Sequence, residues 1–288
     1  MRFFSTLLVF AFVLVSTQVF AFPTPGASDN GYSLENWSAD YDFNGIAKLS
    51  NCSGSLFHFE GYNLDDKALI LTNGHCVGFP LIPPGEIRHD ESSSRRFELY
   101  NSEGMTSGNS VKAERLIYAT MTDTDLAIYR LKQTYREIQD QLGIESLELA
   151  KNPAALEESI AIVSGYHHSV SECTLEAYPF QLKEGDWFFK TPLRYSKECH
   201  VIGGTSGSPV VSLESGKIVG VNNTVKENGA ACTINNPCEL DAKGKILSIP
   251  NRGYGQQTKN VYSCLDKNLQ FDLSIKGCVL PKGKKPIS

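Results

Sequence analysis

The sequence contains no apolar run long enough to cross a bilayer, since a membrane-spanning helix needs about 20 predominantly apolar residues. The longest apolar stretch, residues 3–15, follows Arg2 and precedes Val19-Phe20-Ala21, which has small residues at alternate positions. A positive start, a short apolar core and a small-residue end are typical of a secretory signal peptide. We therefore expect residues 1–21 to be removed and the remaining chain to be secreted, extracellular or periplasmic, without a membrane anchor.

The chain also lacks a cluster of basic residues. Its 27 Lys and Arg residues stand against 32 Asp and Glu, which gives a net charge of −5. Proteins that bind nucleic acid through its phosphates carry a basic stripe, and none is visible in this sequence. Nucleic acid is therefore not an expected partner.

No Cys-x-x-Cys pair occurs, and the six histidines are not spaced as zinc ligands. Eight cysteines are nevertheless present, all in the part of the chain expected to be exported. An even number of cysteines in an exported chain indicates disulfides, because thiols oxidise outside the cytosol. We expect four disulfides and no bound metal. The cysteines are Cys52, Cys76, Cys173, Cys199, Cys232, Cys238, Cys264 and Cys278.

Short apolar runs separated by Gly, Pro and Asn recur from Ile46 onward, a pattern typical of an all-β sandwich or barrel. One helix signal interrupts them. Thr134-Tyr135-Arg136-Glu137 is a capping box, in which the threonine and the glutamate can each accept a backbone N–H of the other. Gly143 suits the left-handed residue that follows a helix end. We therefore expect a helix at 135–142 between two β-rich halves, with one strand of the second half near Trp187.

The segment Gly203-Gly204-Thr205-Ser206-Gly207-Ser208-Pro209 carries the strongest chemical signal. A serine hydroxyl is a poor nucleophile at neutral pH, so an acyl-transfer enzyme presents it to a base and directs backbone N–H groups at the developing oxyanion. Glycines on both sides of Ser206 allow a sharp turn and a close approach of a substrate carbonyl. The segment is interpreted as a nucleophile turn, although alone it also fits an ordinary Gly- and Ser-rich turn.

Two further segments fit the partners of such a serine. In Leu71-Thr72-Asn73-Gly74-His75-Cys76 a histidine follows a buried strand and precedes a cysteine whose disulfide would hold it rigidly. Asp125 directly precedes the apolar run Leu126-Ala127-Ile128, where a carboxylate is costly to bury unless it is hydrogen-bonded. An aspartate in that position can orient a catalytic histidine. The alternatives are a structural histidine and an ordinary turn aspartate.

Together these motifs resemble the chymotrypsin-like (trypsin-like) serine protease family, and more closely its bacterial branch that includes the glutamyl endopeptidases. The order His75, Asp125, Ser206 is the family's order, whereas subtilisin-like and α/β-hydrolase triads run differently. The resemblance implies an all-β fold of two six-stranded antiparallel β-barrels with the active site between them. The expected divisions are a signal peptide at 1–21, a lead-in at 22–43, a first barrel at 44–132, a connector with a short helix at 133–150, a second barrel at 151–257 and a disulfide-containing tail at 258–288.

The resemblance also implies roles for individual residues. Ser206 would attack the scissile carbonyl, His75 would act as general base and then general acid, and Asp125 would orient His75. The backbone N–H groups of Gly204 and Ser206 would form the oxyanion hole. The substrate backbone would pair with the strand edge Asn222-Asn223-Thr224. This chemistry needs no metal or organic cofactor, and the expected partners are protein or peptide substrates of a monomeric enzyme.

Two positions depart from the family pattern. Members that are activated by propeptide cleavage have an acidic residue just before the nucleophile, and here Thr205 stands there, so we expect that switch to be absent. A serine commonly supports the triad aspartate from the wall strand, and here Asn222 stands there. We expect its amide to donate to Asp125 instead.

The resemblance places His200 at the floor of the primary specificity pocket, six residues before the nucleophile. Enzymes that cleave after Arg or Lys have an aspartate there, so we expect cleavage after Glu, Asp or a neutral polar residue. The alternative is a structural role for His200 beside a disulfide. If cleavage after Arg or Lys were found, Glu198 would be the first candidate for the required carboxylate.

The expected disulfides are Cys52–Cys76 and Cys173–Cys199, with Cys232–Cys238 and Cys264–Cys278 as the nearest remaining pairs. The alternative to an active endopeptidase is a catalytically inactive protease-fold protein that binds a partner. Such a protein would lack at least one triad or oxyanion residue, and the sequence shows no such loss.

Overall fold

The computed structural model describes residues 41–106 and 108–283, and these residues are built mainly of β-strands. The expected signal peptide and most of the expected lead-in, up to residue 40, lie outside the described residues, as do the last five residues. The strands of the first half are β1 Ile46–Lys48, β2 Ser53–His58, β3 Lys67–Thr72, β4 Ile87–Ser92, β5 Arg96–Leu99, β6 Ser110–Thr120, β7 Leu126–Thr134 and β8 Leu147–Glu148.

Six of these strands close into an antiparallel barrel in the order β1-β5-β6-β7-β3-β2, because β2 pairs with β1 as well as with β3. The side chains alternate between the interior and the surface, as the pleat of a strand requires. In β5, Phe97 and Leu99 are fully buried while Arg96 and Glu98 are exposed. Each fully buried Phe or Leu stabilises the fold by about 1.5–3 kcal/mol.

The connector between the two halves contains the helix α1, Tyr135–Leu142. The Thr134 hydroxyl accepts the N–H of Glu137 at 3.1 Å, and the Glu137 carboxylate accepts the N–H of Thr134 at 2.7 Å. Gly143 ends the helix with φ of 65°, in the left-handed region. The helix lies where the capping box predicts it, because both of its ends are set by residues close in the chain.

The second half forms another closed antiparallel barrel, in the order β10-β13-β18-β15-β14-β9. The predicted all-β fold of two six-stranded barrels is thereby confirmed. The strands of this half are β9 Ser159–Ser164, β10 Ser169–Ala177, β11 Gln181–Glu184, β12 Trp187–Lys190, β13 Leu193–Tyr195, β14 Pro209–Ser212, β15 Ile218–Val225, β16 Cys238–Leu240, β17 Ile246–Leu247 and β18 Gly253–Gln257.

A third sheet, which the sequence does not predict, has four strands in the order β12-β11-β16-β17. The strand expected near Trp187 belongs to this sheet and not to the barrel. Its hairpin β11–β12 also reaches the first half of the chain: the Trp187 indole N–H donates to the Ile82 carbonyl at 2.9 Å, and the Asp123 N–H donates to the Phe188 carbonyl at 3.0 Å. These contacts place the hairpin beside the start of β7.

The carboxy-terminal segment is packed against the first barrel as far as it is described. It contains a short 3-10 helix, Lys259–Cys264, and the disulfide Cys264–Cys278. The Tyr262 hydroxyl donates to the Leu149 carbonyl at 2.6 Å, and the Tyr118 hydroxyl donates to the Pro281 carbonyl at 3.0 Å. Among residues 41–106 and 108–283, no helix is long and apolar enough to cross a membrane.

The reciprocal hydrogen bonds at the start of α1 yield a testable prediction. Replacing Thr134 with Ala removes the hydroxyl that caps the helix and should lower the free energy of unfolding by about 1 kcal/mol. Replacing Thr134 with Ser keeps the hydroxyl and should change it much less. Urea denaturation of both variants measures the difference, and equal losses in the two would show that the cap does not stabilise the protein.

Candidate active site

His75 lies at the end of β3, in a short 3-10 helix that spans His75–Val77. Gly74 precedes it, and a Cβ atom there would lie 2.0 Å from the Thr120 carbonyl oxygen, so a side chain at this position is excluded. The Asn73 amide donates to the Asp125 carbonyl at 2.9 Å. The glycine and this hydrogen bond let the end of β3 approach the start of β7 closely, and the disulfide Cys52–Cys76 holds the next residue.

Asp125 precedes β7 and its side chain is only 1% exposed. One carboxylate oxygen accepts the backbone N–H of His75 at 3.0 Å, and the other lies 2.7 Å from His75 Nδ1. A carboxylate at Nδ1 assigns the proton to that nitrogen and leaves Nε2 free to accept one. The two predicted residues are therefore brought together in the geometry of a histidine and its orienting aspartate.

Opposing effects act on the pKa of His75. Burial lowers the pKa and is the largest single effect, but the charge and hydrogen bond of Asp125, with the charge of Glu184, together raise the pKa above its ordinary 6.5. The imidazolium form is therefore stabilised. Such a ring is a stronger base than a free imidazole, and it stays protonated to a higher pH.

Ser206 lies in the turn before β14 and is half-buried. Its hydroxyl donates to the Asn223 carbonyl at 3.0 Å, and no hydrogen bond joins it to His75 in the described structure. The Ser206 carbonyl accepts the N–H of Ser53 from β2 at 2.8 Å. This bond joins the nucleophile turn of the second barrel to the strand that follows Cys52 in the first.

Gly204 and Gly207 both have backbone conformations that favour glycine, with φ of 92° and 82°. A Cβ atom at Gly207 would lie 2.1 Å from the Ser53 carbonyl oxygen, so the turn contacts the first barrel without intervening atoms. The backbone N–H groups of Gly204 and Ser206 donate to no acceptor among the described residues. Two free donors next to a serine are what an oxyanion hole requires.

The expected support of Asp125 by Asn222 is wrong. Asn222 is buried, and its amide donates to the Thr205 carbonyl at 2.9 Å and to the Thr205 hydroxyl at 3.0 Å. The pairing of β15 with β18 is irregular between Asn222 and Thr224. An irregularity of this kind changes which face of the sheet a side chain points to, and simple alternation along the chain does not predict it.

A cavity of about 250 Å³ adjoins Ser206 and His75. Asn222, Asn223 and Thr224, the strand edge expected to hold substrate, contribute to its lining. His200 is not among the lining residues in the described part of the chain; its backbone N–H donates to the Ser171 hydroxyl at 2.8 Å. The structure therefore does not place His200 where a pocket floor would be.

Sequence reasoning missed Glu184, whose carboxylate lines the cavity. It is 9% exposed and accepts the N–H of Asn235 at 2.7 Å. Burial raises the pKa of the Glu184 carboxyl. Hydrogen bonds from Asn235 and Thr224 and the charge of His75 lower it, but burial has the larger effect. A signal was present in the sequence, because Glu184 lies two residues after the buried Leu182 and so shares its inward face.

The structure contains the four disulfides expected from the sequence, Cys52–Cys76, Cys173–Cys199, Cys232–Cys238 and Cys264–Cys278. Cys52, Cys76 and His75 also bring metal-ligating residue types within 4.8 Å of one another. The two sulfur atoms are bonded to each other there, so neither is a thiolate that could bind a metal.

Two antiparallel β-barrels, with a histidine–aspartate pair on one and a serine turn on the other, define the architecture of a serine peptidase. A sequence profile of the trypsin-like peptidase domain matches residues 52–221, more than half of the chain. The chain belongs to the trypsin-like peptidase family, as the resemblance of the motifs indicates. No curated protein sequence matches the chain significantly.

Solved structures with a similar fold include the MamO protease domain from Magnetospirillum magneticum, at 12% identity and a TM-score of 0.48, covering 78% of this chain and 97% of that one. The protease Anisep from Arthrobacter nicotinovorans has 17% identity and a TM-score of 0.46, covering 77% and 92%. A Glu endopeptidase has 16% identity and a TM-score of 0.41, covering 75% and 86%. At these values the family assignment depends on the sequence profile alone.

The contact between Gly207 and Ser53 can be tested with a matched pair of variants. Gly216 also has a positive φ, of 69°, but a Cβ atom there would meet nothing within 4 Å. Replacing Gly216 with Ala should lower the free energy of unfolding by about 1 kcal/mol through backbone strain alone. Replacing Gly207 with Ala should cost about 1–3 kcal/mol more, because the new methyl group overlaps the first barrel.

Chemical denaturation of the two glycine variants measures both values. An equal loss in Gly207→Ala and Gly216→Ala would show that the turn and β2 are not in the close contact described.

Proposed function

We propose that this protein is a secreted serine endopeptidase with Ser206 as nucleophile, His75 as general base and acid, and Asp125 as the orienting carboxylate. The observation that carries the proposal is the 2.7 Å contact between Asp125 and His75 Nδ1, in a cavity that both His75 and Ser206 line. Four disulfides are compatible with an extracellular or periplasmic location.

In the proposed reaction the Ser206 hydroxyl rotates from the Asn223 carbonyl toward His75 Nε2, which takes its proton as the oxygen attacks the scissile carbonyl. The negative charge that develops on the carbonyl oxygen is stabilised by the N–H groups of Gly204 and Ser206. Asp125 stabilises the imidazolium that forms. Catalytic hydrogen bonds are often long or poorly aligned without substrate and tighten when it binds.

The tetrahedral intermediate then collapses, and His75 gives its proton to the departing amine. The acyl group stays bound to Ser206 as an ester. A water molecule, deprotonated by His75, attacks this ester and releases the acid, and the proton returns to Ser206. Each step uses side chains and backbone groups of the chain itself, with protein or peptide as the substrate.

Removal of the Ser206 hydroxyl tests the nucleophile. Ser206→Ala should reduce kcat for peptide hydrolysis by about 10⁶-fold, as expected when a triad acts as a unit, and should abolish labelling by a fluorophosphonate probe. Ser208→Ala is a matched control two residues away, since the Ser208 hydroxyl has no hydrogen-bond partner in the described part of the chain; it should keep both hydrolysis and labelling. A wild-type protein that neither hydrolyses peptides nor takes the label would instead be the inactive, partner-binding protein.

The raised pKa of His75 predicts the pH dependence of hydrolysis. Only the neutral ring can accept the Ser206 proton, so kcat/KM should fall as the pH drops through the His75 pKa, which lies above the ordinary 6.5. Asp125→Asn removes a charge that raises this pKa, so the acid limb should move to lower pH. The rate at neutral pH should also fall by about 10⁴-fold, because the ring is no longer held in the right tautomer.

Asp123→Asn is the control for this pH profile. The Asp123 side chain forms a surface ion pair with Lys190 at 2.7 Å, and pairs of this kind contribute little. Its replacement should leave the acid limb in place. An acid limb that does not move in Asp125→Asn would contradict the assignment of Asp125 as the partner of His75.

A further inference from the structure

Glu184 lies in the third sheet, which is separate from the two barrels, and it lines the cavity. It ends β11, and the hairpin that follows is held against the first half of the chain through Trp187. The loop before β16 covers it from the other side, where the Asn235 N–H donates to its carboxylate. The carboxylate is therefore fixed in a buried position a short distance from the proposed catalytic residues.

Among the described residues, the lining of the cavity contains three carboxylates, Asp125, Glu184 and Glu227, and no Lys or Arg side chain. Asp125 is engaged by His75, and Glu227 is exposed. Within residues 41–106 and 108–283, Glu184 forms no ion pair with Lys or Arg. A buried carboxylate without a cation costs free energy, and a cation brought by a ligand would supply the missing partner.

The nearest buried lysine does not fill this role. The Lys226 ammonium donates to the carbonyl oxygens of Glu227 and Gly229 and to the Asn236 side chain, at 2.7 to 2.9 Å. These three acceptors use all three of its N–H donors. Lys226 is not part of the cavity lining.

Several of the side chains that line the cavity together with Glu184 are apolar. They include Leu81 and Met121 from the first half of the chain, Trp187 and Phe189 from the hairpin, and Ile234 from the loop before β16. Lys and Arg side chains combine a long apolar stem with a charged end. Apolar side chains beside the buried carboxylate of Glu184 match that combination, whereas an acidic side chain would meet three carboxylates.

We propose that Glu184 is a specificity-determining residue, which receives the ammonium or guanidinium group of a Lys or Arg side chain next to the scissile bond of the substrate. The proposal rests on the proposed peptidase function, because it assigns the side-chain preference of that same site. It replaces the expectation of an acidic or neutral preference through His200. It also differs from the fallback expectation, since Glu198 is exposed and does not line the cavity.

The test measures binding to the Ser206→Ala variant, so that it does not depend on catalysis. Peptides with Arg at each position in turn are titrated calorimetrically beside peptides with citrulline, which keeps the shape of Arg and lacks its charge. At one position the Arg peptide should bind on the order of 10- to 100-fold more tightly, as expected for a charge-assisted hydrogen bond shielded from water. Lys and norleucine form a second pair of the same kind.

Adding Glu184→Gln should bring the ratio of Arg to citrulline affinity at that position close to 1, while the Kd of the citrulline peptide stays unchanged. The amide oxygen can still accept the Asn235 N–H, which preserves the fold around it. Glu198→Gln is the matched control, because it removes the same charge outside the cavity, and it should leave the ratio unchanged.

Four outcomes would overturn the proposal: equal affinities for Arg and citrulline peptides at every position, no binding of either, tighter binding of peptides with Glu, or an Arg preference that survives Glu184→Gln. Failure of the peptidase function has a different signature. The wild-type protein would then neither hydrolyse the Arg peptides nor react with a fluorophosphonate, while the charge preference in binding would persist.

Discussion

The hydrogen bonds of Ser53 hold the two halves of the site together. Its N–H donates to the Ser206 carbonyl, and its carbonyl accepts the Thr72 hydroxyl from the strand that leads to His75. Its own hydroxyl contacts Ser164 of the second barrel at 3.1 Å. The neighbouring Cys52 is bonded to Cys76, beside His75. One residue on β2 thus fixes the turn that contains Ser206 relative to His75, and the proposed reaction would tolerate only small displacements between them.

Two carboxylates near His75 change its pKa in the same direction. Asp125 and Glu184 both raise the pKa of His75, and a base with a raised pKa takes the serine proton more readily. Burial makes a deprotonated Glu184 costly and the charge of Asp125 adds to this cost, so both raise the pKa of the Glu184 carboxyl. A substrate cation in the cavity would offset the cost of the Glu184 charge. It would also weaken the effect of that charge on the pKa of His75. Binding and basicity are therefore linked through one carboxylate.

The two barrels and the segments outside them contribute different parts of the site, as is usual for a rigid scaffold and the segments that connect its elements. The two barrels position the proposed triad and the oxyanion donors. The third sheet and the loop before β16 supply Glu184, Trp187 and Ile234, which line the cavity, and Glu184 also raises the pKa of His75. Function is carried by sites placed on a fold, and in this chain the additional sheet is where a preference between substrates can arise without altering the catalytic residues.

The sequence by itself determined the features that depend on near neighbours in the chain. Short apolar runs between turn residues indicated an all-β fold, the capping box decided where α1 begins, and the three motifs identified the family. Only the tertiary structure decided the direction of the Asn222 amide, the position of His200 outside the cavity lining and the burial of Glu184 beside His75. Asn222 lies at a register irregularity in β15, Glu184 lies in a hairpin held by a contact between residues more than a hundred positions apart, and the His200 N–H bonds to Ser171 of β10. A local pattern constrains which face a side chain takes, but packing between distant segments determines what that face meets.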